Sequence, residues 1–117
     1  MKYDMEINMH RGDLQEIEFE VIDGDSEPIE GITEIFWTVK RSVHDKNFVI
    51  QKKLSDNTIQ SVDATYYFTI RPEDTDGLAF GEYPFDIEVI GEGLKKTFLG
   101  LLNLEKEVTY SSNEGDG

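Results

Sequence analysis

The feature that most constrains this chain is a period-two alternation of apolar and polar residues, interrupted by turn residues. The clearest run alternates three apolar residues, Ile17, Phe19 and Val21, with three glutamates, Glu16, Glu18 and Glu20. Because successive side chains of a β-strand point to opposite faces, the run predicts a strand with one buried face. Helical periodicity is almost absent, so the chain is predicted to be all-β.

The same signal recurs along the chain, with turn residues between the runs. Strands are predicted over residues 3–9, 16–21, 35–39, 48–54, 65–70, 83–89 and 94–108, with a short additional one near Ile59. A helical turn is expected over residues 72–78, where proline and acidic residues favour a helix start. Seven to eight short strands with regular turns predict an antiparallel two-sheet sandwich of immunoglobulin-like type.

Two aromatic residues are predicted to be structural. Trp37 lies on the third strand, at the centre of the expected core. Tyr83 opens a later strand and matches a tyrosine corner, in which the phenol bonds back to upstream backbone. Pro84 follows it, and because proline cannot donate to a ladder, an edge strand or a bulge is predicted there.

Length and composition predict one soluble domain. The chain has 117 residues and no cysteine, which excludes disulfides and thiolate sites and suits a single core. Residues 1–110 are assigned to the sandwich, and residues 111–117, which include no apolar side chain, are predicted to form a disordered acidic tail. No signal-peptide pattern or membrane-spanning segment is found, so synthesis in a cytoplasm is expected.

Charge argues against two classes of partner. A formal net charge of −14 repels phosphate backbones and anionic lipid, so neither nucleic acid nor membrane is expected as a partner. The charge is uneven, because residues 40–53 sum to +4 and leave −18 for the rest of the chain. The basic side chains of this segment are Lys40, Arg41, Lys46, Lys52 and Lys53. They are the first half of a predicted interface.

The second half comes from the last strand. Residues 98–102 are apolar on both faces of that strand, and Phe98, Leu99 and Leu101 are the candidate contact residues. A strand in a sandwich buries only one face in its own core. The other face is therefore predicted to meet a partner.

No pattern in the sequence indicates catalysis, a cofactor or a metal. The common nucleophile and phosphate-binding motifs are absent, and His10 and His44 lack the spacing of a zinc site. Asp23 begins a calcium-like acidic run, but Pro28 stands where such a loop needs glycine, which favours a solvated turn. Residues 11–13 spell Arg-Gly-Asp, a tripeptide read by integrins, although a hairpin already explains its glycine. The chain is predicted not to be an enzyme.

A family resemblance rests on a series of strand and turn segments. They are Arg11-Gly12-Asp13, residues 27–33 leading into Phe36-Trp37-Thr38-Val39, residues 67–75, residues 81–87, and Gly100-Leu101-Leu102-Asn103-Leu104. The series resembles small β-sandwich proteins of phage and prophage structural gene clusters and is similar to the N-terminal domain of phage baseplate upper proteins. It spans residues 9–109.

The resemblance implies a virion structural or accessory protein of the tail, baseplate or neck. Its partners would be other phage structural proteins or copies of itself. Separately, the basic segment 40–53 and the acidic remainder of the chain would suit head-to-tail packing of neighbouring copies in a ring. The protein would reside in the bacterial host cytoplasm during assembly and then in the virion. Two alternatives remain open: an acidic inhibitor that mimics nucleic acid and binds a host protein, and an adhesive or sugar-binding sandwich that would use the exposed aromatics Phe36 and Tyr67.

Overall fold

The computed structural model describes residues 3–106. This part of the chain forms eight β-strands and one helical turn. In chain order they are β1 (Met5–His10), β2 (Gln15–Glu20), β3 (Ile32–Val39), β4 (Ile50–Lys53), β5 (Ile59–Val62), β6 (Thr65–Ile70), α1 (Pro72–Thr75), β7 (Gly81–Gly91) and β8 (Leu94–Glu105). The predicted tail, residues 111–117, and the predicted end of the last strand at residues 107–108 lie outside the described residues.

The strands form two sheets. One has the order β1-β8-β7-β3-β4 and the other β2-β6-β5. The arrangement is that of an immunoglobulin-like sandwich, with β3, β7 and β8 in the places of strands C, F and G. The predicted fold class is confirmed. Among the named strands the pairings are antiparallel except that of β1 with β8, which is parallel and sets Met5 opposite Gly100.

Trp37 holds the two sheets together. Its side chain is fully buried, and its ring centroid lies 4.4 Å from that of Phe68 on β6 and 5.7 Å from that of Phe85 on β7. Immunoglobulin domains pack this tryptophan against a disulfide whose second cysteine lies two residues after the corner tyrosine. Phe85 takes that position here. Aromatic packing therefore stands where a covalent link stands in antibody domains.

Tyr83 forms the predicted tyrosine corner. Its hydroxyl donates a hydrogen bond of 2.7 Å to the carbonyl of Ala79, four residues upstream. The ring is buried, because position 83 is on the core face of β7. One side chain thus fixes the connection between α1 and β7 to the start of that strand.

The turn between β1 and β2 is fastened to the same end of the sandwich. The Gly12 N–H donates to the Thr75 hydroxyl at 2.8 Å. The Arg11 guanidinium donates to the Leu78 carbonyl at 3.1 Å and lies 4.2 Å from the centroid of the Phe80 ring. Since Arg11 is bound to its own domain, the Arg-Gly-Asp sequence has a structural role in this turn.

The predicted edge or bulge at Pro84 is wrong, because β7 lies between β8 and β3 at the centre of its sheet. The Pro84 carbonyl accepts a hydrogen bond of 3.0 Å from the N–H of Lys40. Lys40 is the first residue after β3, so the bond that proline cannot donate falls beyond the end of that strand. Proline is tolerated in a central strand where its neighbour stops.

The sequence leaves the phase of β4 open, because Phe48, Val49 and Ile50 are consecutive apolar residues, and the structure resolves it. Ile50 is buried, whereas Phe48 is exposed and precedes the strand. Ile50 and Lys52 therefore face the other sheet, and Gln51 and Lys53 face outward. The strand is at the edge of its sheet.

Candidate functional site

The outer face of the five-stranded sheet carries two adjoining depressions, of about 180 and 280 Å³. Cross-strand register produces them, because Asp86 on β7 lies opposite both Thr38 on β3 and Leu99 on β8. Thr38, Lys40 and Asp86 line both depressions. The two therefore form one continuous groove, called here the outer groove.

The two halves of the outer groove differ in chemistry. Val43, Pro84 and Leu99 make one half apolar, and Val43 and Leu99 are 60 % and 40 % exposed. Phe36, Gln51 and Glu88 line the other half. An apolar wall beside an aromatic ring and two carboxylates, Asp86 and Glu88, suits a partner that offers both apolar and polar groups.

The surroundings of Asp86 in the outer groove shift the ionisation of its carboxyl group. Burial raises the pKa of its carboxyl group, the charge of Glu88 raises it further, and Lys40 opposes the shift. The carboxylate is thus partly removed from water without a full counter-charge. Any cation that approached it would be attracted.

The apolar run of the last strand divides between the two faces of β8. Phe98 packs against the core, whereas Leu99 and Leu101 lie on the outer face. Leu101 is 9 % exposed, since its neighbours cover it, and Leu99 opens into the outer groove. Of the three predicted contact residues, Leu99 is the one that borders the outer groove.

The predicted basic segment does not form a single patch. Lys40 lines the outer groove and donates to the Asp45 carbonyl at 2.8 Å. Arg41 and Lys46 are exposed on the loop between β3 and β4, and Lys53 lies beside Phe36 on the outer face. The structure thus brings Lys40 and Leu99 together at the outer groove and leaves Arg41 and Lys46 on its flank.

Lys52 points the other way. Its ammonium is 2.8 Å from the Asp74 carboxylate, and the two side chains are only 11 % and 19 % exposed. The same Asp74 oxygen accepts the Arg71 N–H at 2.8 Å and so fixes the start of α1. Lys52 therefore joins β4 to α1 within the domain, and it is not part of an exposed basic surface.

A second groove lies by β4, β5 and β6. It has a volume of about 210 Å³ and is lined mainly by polar side chains. They are Lys52, Asn57, Thr58, Gln60, Thr69 and Arg71, with the ring of Tyr67. The Tyr67 hydroxyl donates to the Gln60 side chain at 2.8 Å, which leaves the amide N–H groups of Gln60 directed elsewhere. Both aromatics that the sequence predicted to be outside the core therefore border grooves.

The acidic rows of β2 and β7 lie on opposite sides of the sandwich. Glu16, Glu18 and Glu20 are exposed on the outer face of the three-stranded sheet. Asp86 and Glu88 are on the outer face of the five-stranded sheet. The two rows do not combine into one acidic stripe of the kind that a nucleic-acid mimic presents.

The acidic run after β2 is held by hydrogen bonds within its own turn. The Asp23 carboxylate accepts hydrogen bonds from the N–H groups of Asp25 and Glu27, at 2.8 and 3.1 Å, and these bonds lower its pKa. Across residues 3–106 no group of three or more His, Cys, Asp or Glu side chains is placed to hold a metal ion. Nor does this part of the chain include a helix long and apolar enough to cross a membrane.

Sequence reasoning missed Asp86, Val43 and Pro84. All three belong to the outer groove, but the only local signal was that Asp86 alternates with the core residues Phe85 and Ile87. That signal places Asp86 outward and gives no hint of its neighbours. The side chains that line the outer groove come together only through the register of β3, β7 and β8, and this register is not visible in the local sequence.

Comparisons with known proteins identify the fold and no family. No family model and no curated protein sequence matches the chain. Among solved structures, the endo-β-1,4-mannanase from Thermotoga petrophila matches with a TM-score of 0.58 and 14 % identity, over 86 % of this chain and 18 % of that one. The CBM51-2 and INT domains of ZmpB from Clostridium perfringens match with a TM-score of 0.43 and 18 % identity, over 85 % and 17 %. The chain spans less than a fifth of either protein's length.

Proposed function

We propose that this chain is a non-enzymatic protein-binding module that docks through the outer groove. The observation that carries the proposal is the exposure of Val43 and Leu99 around Asp86 and Lys40 on one sheet face. Apolar groups surrounded by charged ones are typical of surfaces that bind another protein.

The biological setting of the proposal is a phage or prophage particle. The module is a structural or accessory protein of the tail, baseplate or neck, which joins the virion after synthesis in the bacterial cytoplasm. This setting rests on the resemblance of the strand and turn segments within residues 9–109 to phage and prophage β-sandwich proteins. The outer groove is where another virion chain would bind.

The test is whether the protein is part of a particle and whether the outer groove holds it there. Particles induced from the bacterium that carries the coding sequence should include the protein by mass spectrometry. Leu99→Lys should remove it, because a charge in the apolar half of the groove opposes burial. Leu14→Lys is the matched control, since Leu14 is 64 % exposed on the turn before β2. Absence of the unmodified protein from particles, or equal loss with both variants, contradicts the proposal.

A second candidate function is favoured by the groove beside β5. Its combination of Tyr67, amide groups and hydroxyls is the chemistry that recognises a saccharide, whose hydroxyls need donors and acceptors and whose faces stack on rings. NMR titration with neutral and carboxylated oligosaccharides tests it. Shifts confined to this groove and lost in Tyr67→Ala would establish sugar binding, and an absence of shifts at millimolar sugar would exclude it.

A further inference from the structure

The loop between β3 and β4, residues 40–49, has the composition of an interface segment. It exposes two cations, Arg41 and Lys46, and two large apolar side chains, Val43 and Phe48, which are 60 % and 52 % exposed. Interface surfaces are enriched in arginine and aromatic residues. This loop, called here the basic loop, therefore offers both kinds of group that the outer groove can accept.

The outer groove offers the complementary groups. Asp86 and Glu88 place two carboxylates beside the ring of Phe36, since Glu88 lies opposite Phe36 in the sheet register. Glu88 also pairs with the exposed Lys95 at 3.6 Å, a weak surface contact for which a partner's cation would compete. A guanidinium or ammonium over an aromatic face is attracted by the ring, and carboxylates at its edge add charge-assisted hydrogen bonds. Burial already raises the pKa of Asp86, and a bound cation would relieve that cost.

The basic loop and the outer groove lie side by side on one face. Lys40 and Val43 of the loop line the same depression as Asp86. When two such faces meet about a two-fold axis between loop and groove, the loop of each copy covers the groove of the other. The apolar half of the groove, with Val43 and Leu99, then lies near the axis, and the charged groups surround it.

We infer that two copies of this chain pair through these faces in a closed two-fold dimer, with the basic loop of each copy over Phe36, Asp86 and Glu88 of its partner. The inference rests on the proposed function and names the occupant of the outer groove. A head-to-tail ring requires the donor and the acceptor on different faces of the molecule. Their adjacency favours closure at two copies.

Charge reversal in two separate variants tests the pairing. Arg41→Glu with Lys46→Glu makes the basic loop acidic, and Asp86→Asn with Glu88→Lys makes the outer groove basic. Each variant alone should raise the dimer dissociation constant roughly tenfold or more, because each homodimer then brings like charges together. In an equimolar mixture both contacts are favourable again, so a heterodimer should form with an affinity near that of the unmodified dimer.

Analytical ultracentrifugation from micromolar to millimolar protein, at 50 and 500 mM salt, gives the readout. Glu16→Gln with Glu18→Lys changes the net charge by the same amount as the groove variant, on the opposite side of the sandwich, and should leave association unchanged. Circular dichroism confirms that each variant is folded. Higher salt should weaken the dimer, since screening lengths fall to about 3 Å near 1 M.

Three outcomes would overturn the inference: an unmodified protein that stays monomeric at millimolar concentration, a mixture that fails to pair, or a control that weakens association as much as the groove variant. The proposed function fails differently. A monomer that enters particles and is lost from them with Leu99→Lys would remove the dimer and keep the protein-binding role.

Discussion

Gly100 lies where β8 passes closest to the ring of Phe85. A Cβ atom at this position would lie 2.2 Å from Phe85 Cζ and 2.8 Å from the Met5 carbonyl oxygen. Neither neighbour can withdraw freely, since Phe85 packs on Trp37 and Met5 is held in the parallel ladder. The side-chain-free position is therefore a requirement of the core.

Gly100→Ala is expected to lower the free energy of unfolding by about 1–3 kcal/mol, the usual cost of overpacking. Urea unfolding followed by tryptophan fluorescence measures it. Gly24→Ala is the matched control, because no atom lies within 4 Å of the added Cβ there. Equal effects of the two substitutions would show that Phe85 moves aside.

Tyr83→Phe removes the hydroxyl of the tyrosine corner and keeps the ring. The expected loss is about 1 kcal/mol, the value of one hydrogen bond whose acceptor, the Ala79 carbonyl, is left behind. Tyr67→Phe removes an exposed hydroxyl and should change stability by less than about 0.5 kcal/mol. A Tyr83→Phe protein as stable as the parent would show that the corner contributes no stability.

The shifted pKa of Asp86 leads to a prediction about how the stability of the fold depends on pH. Because burial and Glu88 raise its pKa in the folded state, the fold binds this proton more tightly than the unfolded chain does. The contribution of Asp86 to stability is therefore complete at acid pH and is lost as pH rises through the folded pKa. Asp86→Asn should raise the melting temperature at pH 7, and the gain should vanish near pH 3.

Thermal unfolding of Asp86→Asn beside the parent, at several pH values, gives this difference directly. Exposed Asp13→Asn serves as the matched control and should show no comparable gain. A gain that is constant with pH would point to packing and not to ionisation. The same substitution should weaken the proposed dimer, so Asp86 would trade stability for association.

At the scale of single elements, β4 and α1 depend on each other. Lys52 is the residue of β4 that reaches Asp74 of α1, and its neighbour Lys53 faces the opposite side of the strand. Two adjacent lysines in an edge strand thus have different roles.

Lys52→Met should therefore destabilise the fold by about 1–3 kcal/mol, between the values for exposed and fully buried ion pairs. Lys53→Met should change stability by less than about 0.5 kcal/mol. Chemical denaturation of both variants gives the comparison. Similar small effects of the two substitutions would mean that water can replace the Lys52 ammonium beside Asp74 without loss of stability.

Element prediction succeeded where the signal is local. The strands at Gln15–Glu20 and Thr65–Ile70 show the alternation of apolar and polar residues within their own sequence. The tyrosine corner at Tyr83 is likewise recognisable from the few residues that precede it. The phase of β4 was not predictable, because Phe48, Val49 and Ile50 are three consecutive apolar residues. The pairing of Ile50 with the core residue Val39 on β3 decides which of them is buried.

The candidate site was predictable in part for the same reason. Charge and the apolar run of β8 pointed to Lys40 and Leu99, and both border the outer groove. The inward orientation of the Lys52 side chain was not predicted, since a count of charges does not reveal its ion pair with Asp74. The role of Asp86 was missed as well, since its neighbours come from strands β3 and β8.

For the whole molecule, the composition of residues 111–117 leads to a prediction about the tail. These residues include no apolar side chain and can bury little surface, so their deletion should leave the melting temperature unchanged. Differential scanning calorimetry of the shortened chain tests this. A decrease of several degrees would show that the tail packs on the sandwich.

The parallel pair of β1 and β8 also constrains the order in which the fold is completed. Asp4 and Leu99, which bond across the start of this pair, are 95 residues apart in the chain. Pairing of β1 therefore waits until β8 has been synthesised, and such distant contacts form slowly. Until then β1 has an unpaired edge, which another nascent chain could occupy. On a polysome, where many copies emerge close together, the unpaired β1 is thus a site at which strands can be exchanged between chains.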